Sequence, residues 1–311
     1  MFEQSLIFMH LVSIITVNYN QPEVTEALLQ SVISKNDYSE IQMIVVDNGS
    51  HKNPVPAWKI QFPWVHFVRS EINLGFAGGN NLGIREATGD YLFLINNDTE
   101  VTSGLIGELA AKLENNPQIG IISPKIKYFD SPDTLQYAGF TSMNYYSARN
   151  RCIGQFEKDN GQYDHLTGKT GFAHGAAMMV RKCALKKAGL MPEEFFLYYE
   201  ELDWCDRFKR AGYEIWVDMQ AVIYHKESVS VGKNSMLKTY FMNRNRLLYI
   251  RRNAPFFKRK IFYIHFLFLV MPRNVLAYLR ENKLAYVGVM LRSIWWNIIH
   301  PTNSRDLGYP V

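Results

Sequence analysis

The chain has 311 residues, of which 47% are hydrophobic and 20% are charged. This is the composition of a globular protein with one large or two modest domains, and it excludes a disordered chain and a fibrous repeat. The net charge of +5 conceals an asymmetry, because the chain from Lys226 onward has 15 basic and 3 acidic residues and therefore carries +12, whereas the first 225 residues carry −7. Such a basic region indicates an anionic partner, either nucleic acid or a membrane surface.

The cysteines and the N-terminal sequence indicate the cellular compartment of the protein. The three cysteines lie far apart and lack the C-x-x-C spacing of zinc and redox sites, so we expect a reducing environment. The apolar stretch from Leu6 to Val17 follows Glu3, contains His10 and precedes no small-residue cleavage site. We interpret it as a strand, not a signal peptide, and expect the protein not to be exported.

The first part of the chain alternates strands with helices. VSIITV, beginning at Val12, is a continuous apolar and β-branched run, and a helical pattern follows between Val24 and Val32. IQMIVVDNGS, WVHFVRS and YLFLINND predict three further strands, and NNLGIREATG predicts a helix ended by glycine. This alternation predicts an α/β fold with a mostly parallel sheet covered by helices on both faces.

Ligands of open parallel sheets bind beyond the carboxyl ends of the strands. Polar residues follow these predicted strands at Asn18, Tyr19, Asp47, Asn48, Asn96, Asn97 and Asp98. Turn chemistry alone favours Asn and Asp at such positions, so any one of them is equally a turn residue. Their convergence at one edge of the sheet indicates a binding site.

Two strand-end carboxylates suit different ligands. Asp98 would emerge at the mouth of the sheet, where Mg²⁺ or Mn²⁺ prefers carboxylate oxygens, waters and substrate phosphates, although a helix N-cap is the alternative. Asp47 could accept a hydrogen bond from the imide N–H of a uracil or thymine base, or simply form a tight turn with Gly49. The glycines between Asn73 and Gly83 would let phosphate or sugar approach the backbone, but they match neither the dinucleotide nor the Walker A pattern.

An acidic cluster begins a later predicted helix. Glu200, Glu201 and Asp203 lie within four positions, where the helix dipole stabilises negative charge, and that is a sufficient structural reason for them. Crowded carboxylates also raise at least one pKa, which suits a proton acceptor. The predicted strand VDMQAVIYH then ends at His225, which could be a metal ligand or an ordinary surface histidine.

Six segments in order resemble the motifs of family 2 glycosyltransferases, which have the nucleotide-diphospho-sugar transferase (GT-A) fold. They are VSIITVNYN, VVDNGS, NLGFAGGNN, INNDT, GAAMMVRK and FFLYYEELDWCDR. The similarity covers residues 12 to about 230, and the subgroup it resembles is that of bacterial rhamnosyltransferase-like enzymes of surface-polysaccharide assembly. The fold class expected from it is a Rossmann-like mixed, mostly parallel sheet flanked by helices, with a C-terminal helical extension.

The resemblance implies roles for individual residues. Val17, Tyr19 and Asp47 would hold the nucleoside, Asn73 would support the base and ribose, and Asn96, Asn97 and Asp98 occupy the metal-binding D-x-D motif. Glu201 falls at the position of the catalytic base, and His225 at that of a further metal ligand. Gly175 and Ala176 would line the sugar pocket because small side chains permit close approach, with core packing as the alternative.

The chain departs from the family pattern at two positions. Asn96 replaces the first carboxylate of D-x-D, which should weaken cation binding in the absence of the donor's pyrophosphate. Glu201 replaces the Asp of the commoner Glu-Asp pair. The base therefore remains open among Glu201, Glu200 and Asp203.

We interpret the chain as an inverting, metal-dependent glycosyltransferase. It would move a sugar from a nucleoside-diphosphate donor, with dTDP-rhamnose and UDP-hexoses as candidates, to a hydroxyl of a glycan or lipid-linked acceptor in surface-polysaccharide biosynthesis. A glycoside hydrolase needs no nucleotide loops, and a dinucleotide oxidoreductase needs the missing glycine fingerprint. The alternative from another class is a catalytically silent nucleotide-sugar binding or scaffold protein.

The basic tail is predicted to associate with membranes. We expect a catalytic domain at residues 1–232 and a basic, aromatic-rich helical region at 233–311. The longest uninterrupted apolar run, Ile261 to Met271 apart from His265, is shorter than the ~20 residues that span a bilayer, so helices lying on the surface are expected. Aromatic residues such as Trp295 and Trp296 exceed what nucleic-acid binding requires, and we expect no nucleic-acid partner. The expected location is cytoplasmic, peripherally bound to the inner face of the cytoplasmic membrane.

Overall fold

The computed structural model describes residues 10–226 and 235–311, and the fold is an α/β structure built on one mixed sheet. In the first part of the chain β1 (Val12–Asn18), β2 (Ile41–Asn48), β3 (His66–Ser70), β4 (Tyr91–Ile95) and β5 (Thr99–Glu100) are interleaved with helices α1 (Pro22–Lys35), α2 (Val55–Gln61) and α3 (Gly75–Glu86). Later come α4 (Leu105–Asn115), β6 (Ile119–Tyr128), β7 (Leu135–Tyr137), β8 (Gly168–Lys169), β9 (Ala177–Arg181), α5 (Leu185–Ala188), α6 (Glu200–Arg210) and β10 (Glu214–His225).

The strand order is β3-β2-β1-β4-β9-β6-β10-β5, with β7 on β6 and β8 on β10. The pairs β3-β2, β2-β1 and β1-β4 are parallel, and β6-β10 is parallel as well. Strand β9 is antiparallel to both β4 and β6. The predicted fold class is confirmed. The parallel pairs β3-β2, β2-β1 and β1-β4 lie in the first part of the chain, where the carboxyl ends of β1, β2 and β4 share one edge of the sheet.

Two hydrophobic clusters cover the two faces of the sheet. One face packs Leu28 and Leu29 of α1, Trp58 of α2 and Leu109 of α4 against Ile14, Met43 and Val45 of the central strands. The opposite face packs Ile15, Ile44 and Leu94 against the remaining helices. Strands buried on both faces explain the unbroken apolar runs in the sequence.

The C-terminal part is helical and packs on the second face. It comprises α7 (Met236–Asn253), α8 (Phe256–His265), a π-helical turn (Phe266–Val270), α9 (Met271–Arg280) and α10 (Leu284–Ile299). Leu248 of α7, Phe262 of α8 and Trp296 of α10 belong to the same buried cluster as Ile15 and Ile44 of the sheet. The proposed domain boundary between residues 232 and 233 lies outside the described residues, as do the first residues of the strand predicted from Leu6.

One helical stretch is longer than the sequence argument allowed. In the described part of the chain, Phe256–Arg280 is a 25-residue helix whose length and composition suffice to cross a membrane, and only 17% of its most apolar window is buried. The expectation that this run is too short to span is therefore wrong, because the helix continues through His265 and Arg273. Its exposure also shows that it is not a core helix.

Candidate active site

A cavity of about 420 Å³ lies at the carboxyl ends of β1, β2 and β4. Seven residues predicted for the site line it together: Val17, Tyr19, Asn48, Asn73, Asn96, Asn97 and Asp98. The cavity also contacts side chains that sequence reasoning had not assigned to a ligand: Gln21, Phe76, Asn80, Phe196, Leu197 and Leu237. The parallel register brings the predicted residues together, since strands that run side by side end at the same edge.

Asp47 does not reach the cavity surface. Its side chain is fully buried, Oδ1 accepts a hydrogen bond from Asn18 Nδ2 at 2.8 Å, and Oδ2 pairs with the Arg69 guanidinium. Arg69 was missed because, within the predicted strand WVHFVRS, nothing marked it as a partner for another strand. The carboxylate thus joins β1, β2 and β3 beneath the cavity in this structure.

Two glycines of α3 have protein atoms in the space that a side chain would occupy. A Cβ on Gly79 would lie 2.8 Å from Val17 Cγ1, and one on Gly75 would lie 2.3 Å from the Phe196 carbonyl oxygen. Gly75 also has a φ of 71°, a conformation that other residues adopt at a cost. These glycines therefore bring α3 close to β1 and to the segment before α6, and Gly75 also lines the cavity, where its backbone could meet a ligand.

Asn48 and Asn73 shape the loop that begins α3. Asn48 Nδ2 donates to Asn73 Oδ1 at 3.1 Å, and its Oδ1 accepts from the Leu74 N–H at 3.0 Å. Asn73 Oδ1 accepts from the Gly75 N–H at 2.9 Å. The two amides hold each other at the cavity wall, so Asn73 is preorganised to meet a ligand.

Asp98 and His225 form a buried pair at the opposite end of the cavity. His225 Nε2 lies 3.1 Å from Asp98 Oδ1, and Nδ1 lies 2.7 Å from Gln136 Oε1. Because the Gln136 oxygen can only accept, His225 Nδ1 donates to it, and Nε2 faces the Asp98 carboxylate. Asp98 Oδ2 is buried and has no hydrogen-bond partner among the described residues.

This pair fits a divalent cation. A positive charge would satisfy the buried Asp98 oxygen that has no partner within the described ranges, and a histidine ligand commonly donates its other N–H to an outer acceptor such as Gln136. Within residues 10–226 and 235–311 no cluster of three or more His, Cys, Asp or Glu side chains could hold a metal. Mg²⁺ and Mn²⁺ accept one or two protein ligands when substrate phosphates complete the shell.

His174 lies beside this pair and was missed by the sequence analysis. Its ring stands 6.4 Å from that of His225 and stacks on Phe140. Burial, and then the neighbouring His225, lowers the pKa of His174 to about 3. The ring is therefore neutral, and its Nδ1 accepts from the Ala176 N–H at 3.1 Å. It fixes the backbone of the Gly175–Ala176 segment.

The acidic cluster divides into three environments. Asp203 is fully buried, Oδ2 accepts from Arg207 Nε at 2.9 Å, and Oδ1 accepts from Asn253 at 2.8 Å and pairs with Arg252 at 3.3 Å. These contacts join α6 to α7 and leave Asp203 little capacity to accept a substrate proton.

Glu200 and Glu201 retain free acceptor capacity. Each has a buried Oε2 without a hydrogen-bond partner in the described structure. Burial raises the pKa of Glu200 well above its ordinary value, and the Glu201 carboxylate raises it further. Burial also raises the pKa of Glu201, against backbone N–H groups of Glu201 and Leu202 that lower it. Burial therefore raises the pKa of both members of the pair, which suits a proton acceptor.

Gly175 lies between Glu201 and the cavity. A Cβ there would lie 3.9 Å from Phe76 Cζ, which lines the cavity, and 4.0 Å from Glu201 Cγ. Ala176 is buried, and its carbonyl accepts from the Asn96 N–H at 2.9 Å. Gly175 is therefore adjacent to the cavity, whereas Ala176 supports the backbone of the metal motif.

A strained segment precedes the acidic helix. Phe196, Tyr198 and Tyr199 have φ values of 61°, 70° and 74°, which aromatic residues rarely adopt. Asn245 of α7 is buried, and its Nδ2 donates to the carbonyls of Phe195, Leu197 and Tyr198 at 2.8, 2.7 and 2.8 Å. The helical tail thus holds the backbone that presents Glu200 and Glu201. No sequence signal marked Asn245, because an amide within a basic helix reads as a surface residue.

Comparison with known proteins gives a consistent result. Residues 13–189 match the family model of glycosyl transferase family 2. The low-salt glycan biosynthesis hexosyltransferase Agl10 of Haloferax volcanii is 29% identical over 287 residues, which cover 89% of this chain and 87% of that protein. The N-acetylglucosaminyl-diphospho-decaprenol L-rhamnosyltransferase of Mycobacterium tuberculosis is 22% identical over 68% of this chain and 75% of its own length.

Solved structures agree on the fold. The crystal structure of GalNAc-T7 with UDP, GalNAc and Mn²⁺ superimposes with a TM-score of 0.62 at 13% identity. The match covers 79% of this chain and 48% of the GalNAc-T7 chain. At this identity the likeness is one of fold.

Proposed function

The chain belongs to glycosyl transferase family 2, and on that premise we propose that it is an inverting, metal-dependent hexosyltransferase of cell-surface glycan assembly. It uses a nucleoside-diphosphate sugar, with dTDP-rhamnose and UDP-hexoses as candidate donors, and a glycan or lipid-linked acceptor. The observation that carries the proposal is the cavity that has nucleotide-type loops at one end, the orphaned Asp98 oxygen at the other and Glu201 across Gly175. The names of Agl10, a hexosyltransferase of glycan biosynthesis, and of the N-acetylglucosaminyl-diphospho-decaprenol L-rhamnosyltransferase support the sugar-transfer part of the proposal.

The donor occupies the cavity in this proposal. The nucleoside lies between Val17, Tyr19 and Asn73, and the diphosphate extends towards Asn97 and Asp98. Asp47 braces the base-binding loops through Asn18 and Arg69, in place of the direct contact that the resemblance implied. A divalent cation held by Asp98 and His225 would neutralise charge on the departing diphosphate. GalNAc-T7 was crystallised with Mn²⁺, which supports this choice.

Glu201 takes the acceptor proton in this proposal. A carboxylate on the far side of the anomeric carbon from the leaving group removes the hydroxyl proton as the oxygen attacks, and the configuration inverts. Burial and the neighbouring Glu201 raise the pKa of Glu200. We assign the proton transfer to Glu201 because it lies beside Gly175 at the cavity.

The proposal also includes peripheral binding to the inner face of the cytoplasmic membrane. An apolar face of the tail exposes large side chains: Phe256, Phe257, Ile261, Ile264, Leu267, Phe268, Leu269, Leu276, Leu279, Leu284, Leu291, Trp295, Ile298 and Ile299. Phe257 is 79% exposed and Leu284 69% exposed. Exposed apolar area of this extent marks an interaction surface, and the surrounding basic residues suit anionic lipid.

Surface binding fits the packing better than spanning does. The middle of the helix Phe256–Arg280 packs beside the catalytic half, since Leu269 and Arg273 share a cavity with Ser147 and Arg149. A spanning helix would carry that polar loop into the hydrocarbon core, where unsatisfied backbone groups are costly. A helix in the interfacial plane avoids this.

Nucleotide titration tests the proposed activity. Calorimetry with UDP and dTDP should show binding that Mn²⁺ strengthens, and hydrolysis or transfer of the matching nucleotide sugar should require the metal. Tight binding of the nucleotide without any turnover on glycan or lipid-linked acceptors would instead support the silent binding protein, which the loss of a carboxylate at Asn96 favours.

Vesicle flotation tests the proposed peripheral binding to membranes. Full-length protein should bind vesicles more as phosphatidylglycerol increases, and high salt should remove only part of the binding. The variants Phe257→Ser and Leu284→Ser should weaken retention, whereas Ile60→Ser, which removes an 85% exposed side chain from α2, should not. Resistance to alkaline carbonate extraction would contradict peripheral binding.

A further inference from the structure

A second cavity, of about 290 Å³, lies where the catalytic half meets the helical tail. The loop residues Ser147 and Arg149 form one side of it, and His265, Leu269, Val270 and Arg273 form the other. Ala148, between the two loop residues, is buried and has a φ of 50°. The π-helical turn Phe266–Val270 supplies two of the lining residues, and such turns are rare and frequent at functional sites.

Three guanidinium groups gather at this cavity. Arg149 and Arg273 line it, and Arg246 of α7 donates to the Ser147 carbonyl from the same loop. Arg246 Nε is buried without a hydrogen-bond partner in the described part of the chain. Burial lowers the pKa of Arg246, and the charges of Arg149 and Arg273 lower it further, against the effect of Tyr199. The three cations are therefore close enough to repel one another.

No carboxylate compensates these charges. Within residues 10–226 and 235–311, neither Arg149, Arg246 nor Arg273 takes part in an ion pair, although other basic side chains nearby do: Arg207 and Arg252 both pair with Asp203. Like charges brought together without a counter-ion cost free energy, and a bound anion removes that cost. Guanidinium groups match phosphate in both charge and geometry.

Tyr199 connects this arginine cavity to the proposed base. It is the residue immediately before Glu200 and Glu201, and its half-buried ring packs against that of Tyr249. Burial raises the pKa of Tyr199 to about 12, while Arg246 and Arg149 lower it and Glu201 raises it. The hydroxyl therefore senses both the arginines and Glu201. The residues that line the arginine cavity are all different from those that line the cavity at the nucleotide-type loops.

The arginine cavity also opens onto the apolar face of the tail. Leu269, which lines it, is 62% exposed, and Phe268 and Leu276 are exposed beside it. Arg273 lies between Leu269 and Leu276 along the helix, at spacings that put them on one face. A cationic recess bordered by exposed alkyl and aromatic groups matches an amphiphile with a phosphorylated head.

We propose that Arg149, Arg246 and Arg273 bind the phosphate or diphosphate group of a lipid-linked acceptor. Its hydrocarbon chain follows Leu269 and Leu276 along the apolar face, and its sugar hydroxyl reaches Glu201 past Tyr199. This inference rests on the proposed glycosyltransferase function and names the acceptor class within it. It gives the basic tail a role in substrate recognition in addition to membrane binding.

Farnesyl diphosphate is the probe, and full-length protein is the sample. Calorimetry should show binding to the wild type, and the double variant Arg149→Gln/Arg273→Gln should bind at least about a hundredfold more weakly, since each charged hydrogen-bonding group contributes about tenfold. Arg280→Gln, which removes one exposed charge from the same helix outside the cavity, should change affinity by less than about twofold. Farnesol should bind weakly and equally to all three proteins. Asp98→Asn should leave binding of the probe unchanged, which shows that it does not enter the donor cavity.

The outcomes distinguish an acceptor site from a phospholipid site and from non-specific attraction to positive charge. Equal affinity of the wild type and the double variant, or an equal loss in Arg280→Gln, overturns the proposal. If the double variant loses far more phosphatidylglycerol-vesicle binding than Arg280→Gln does, the cavity holds a phospholipid headgroup and the acceptor assignment is wrong. Thermal melting confirms that each variant is folded.

The proposed function is tested separately. If probe binding depends on Arg149 and Arg273 but the protein transfers no sugar, the arginine site is supported and the proposed function is contradicted. If sugar is transferred to a lipid-linked diphosphate and the KM for this acceptor is the same in the double variant and the wild type, the proposed function is supported and the arginine site is contradicted. A raised acceptor KM at unchanged donor KM supports both.

Discussion

Substitution of Glu201 by Gln tests the proposed base most directly. The change keeps the size and shape of the side chain and removes its ability to accept a proton. A positioned general base contributes roughly 10²- to 10⁴-fold to the rate. We therefore expect kcat to fall by that factor, which corresponds to an increase of about 2.7 to 5.5 kcal/mol in the activation barrier.

The structure predicts little cost to stability from the same change. Glu201 takes part in no ion pair within the described residues, its Oε2 has no hydrogen-bond partner there, and the residue is partly exposed. A substitution that breaks no buried interaction changes the free energy of unfolding by less than about 1 kcal/mol. The Kd of the donor should be unchanged, because the nucleotide lies on the other side of Gly175.

The assay is the pH dependence of kcat/KM. A general base acts as the carboxylate, and burial raises the pKa of Glu201 above 4.5. Activity of the wild type should therefore be lost as the pH falls through that raised value, and this acidic limb should be absent from the residual activity of Glu201→Gln. Glu200→Gln is the matched control. Because Glu201, not Glu200, lies beside Gly175, replacement of Glu200 should retain activity within about tenfold.

A wild-type rate in Glu201→Gln would refute the reasoning. If Glu200→Gln instead loses the rate and the acidic limb, Glu200 is the base and the assignment of Glu201 from its position beside Gly175 is wrong. Equal losses in both variants would show that the pair acts as one unit with a shared proton.

Three further predictions concern the metal and the two helices that hold the site. Asp98→Asn should reduce turnover below about 1% of the wild-type rate and raise the Mn²⁺ concentration needed for it. The free energy of unfolding should change by less than about 1 kcal/mol. Metal-independent turnover at the wild-type rate would contradict the Asp98 assignment. Asp203→Asn should lower the free energy of unfolding by about 3 kcal/mol in urea denaturation, since Arg207 and Arg252 lose a buried partner, yet activity per folded molecule should stay within about threefold. Asn245→Ala leaves three carbonyls without their hydrogen-bond donor and should lower the free energy of unfolding by about 2 to 4 kcal/mol. It should also lower kcat while the Kd of the donor stays constant. An unchanged kcat would show that the segment before Glu200 needs no support from α7.

The strands and the edge at which they end could be predicted from local sequence. VSIITV, IQMIVVDN and YLFLI are continuous apolar runs because strands β1, β2 and β4 are buried on both faces of the sheet. The polar residues directly after them therefore had to emerge at one edge. That argument located Tyr19, Asn48, Asn96, Asn97 and Asp98 around one cavity before any contact was known, whereas Val17 came from the family resemblance.

The roles within the acidic cluster could not be predicted in the same way. Glu200, Glu201 and Asp203 are equivalent in sequence, and three residues within four positions look like one feature. Helical geometry turns them in different directions, so Asp203 meets Arg207, Arg252 and Asn253, whereas Glu201 faces Gly175. The partners of Asp203 on α7 lie about 50 positions away along the chain, and only folding brings them near.

Long-range partners also decided Asp47 and the glycines of α3. The strand-end position of Asp47 was correctly read, but its burial depends on Asn18 and Arg69 from neighbouring strands. The glycines of α3 were recognised as permitting close approach, and tertiary packing alone decided that the approaching atoms belong to Val17 and Phe196.

The sequence by itself determined the fold class, the order of the strands along the chain and the edge that carries the site, because burial patterns and turn chemistry are properties of neighbouring residues. Tertiary structure alone decided which carboxylates remain free to act, that Asn245 of the tail holds the active-site segment, and that Arg149 from a loop meets Arg273 from a helix. Those facts depend on contacts between residues far apart in the chain, and a local pattern carries no information about them.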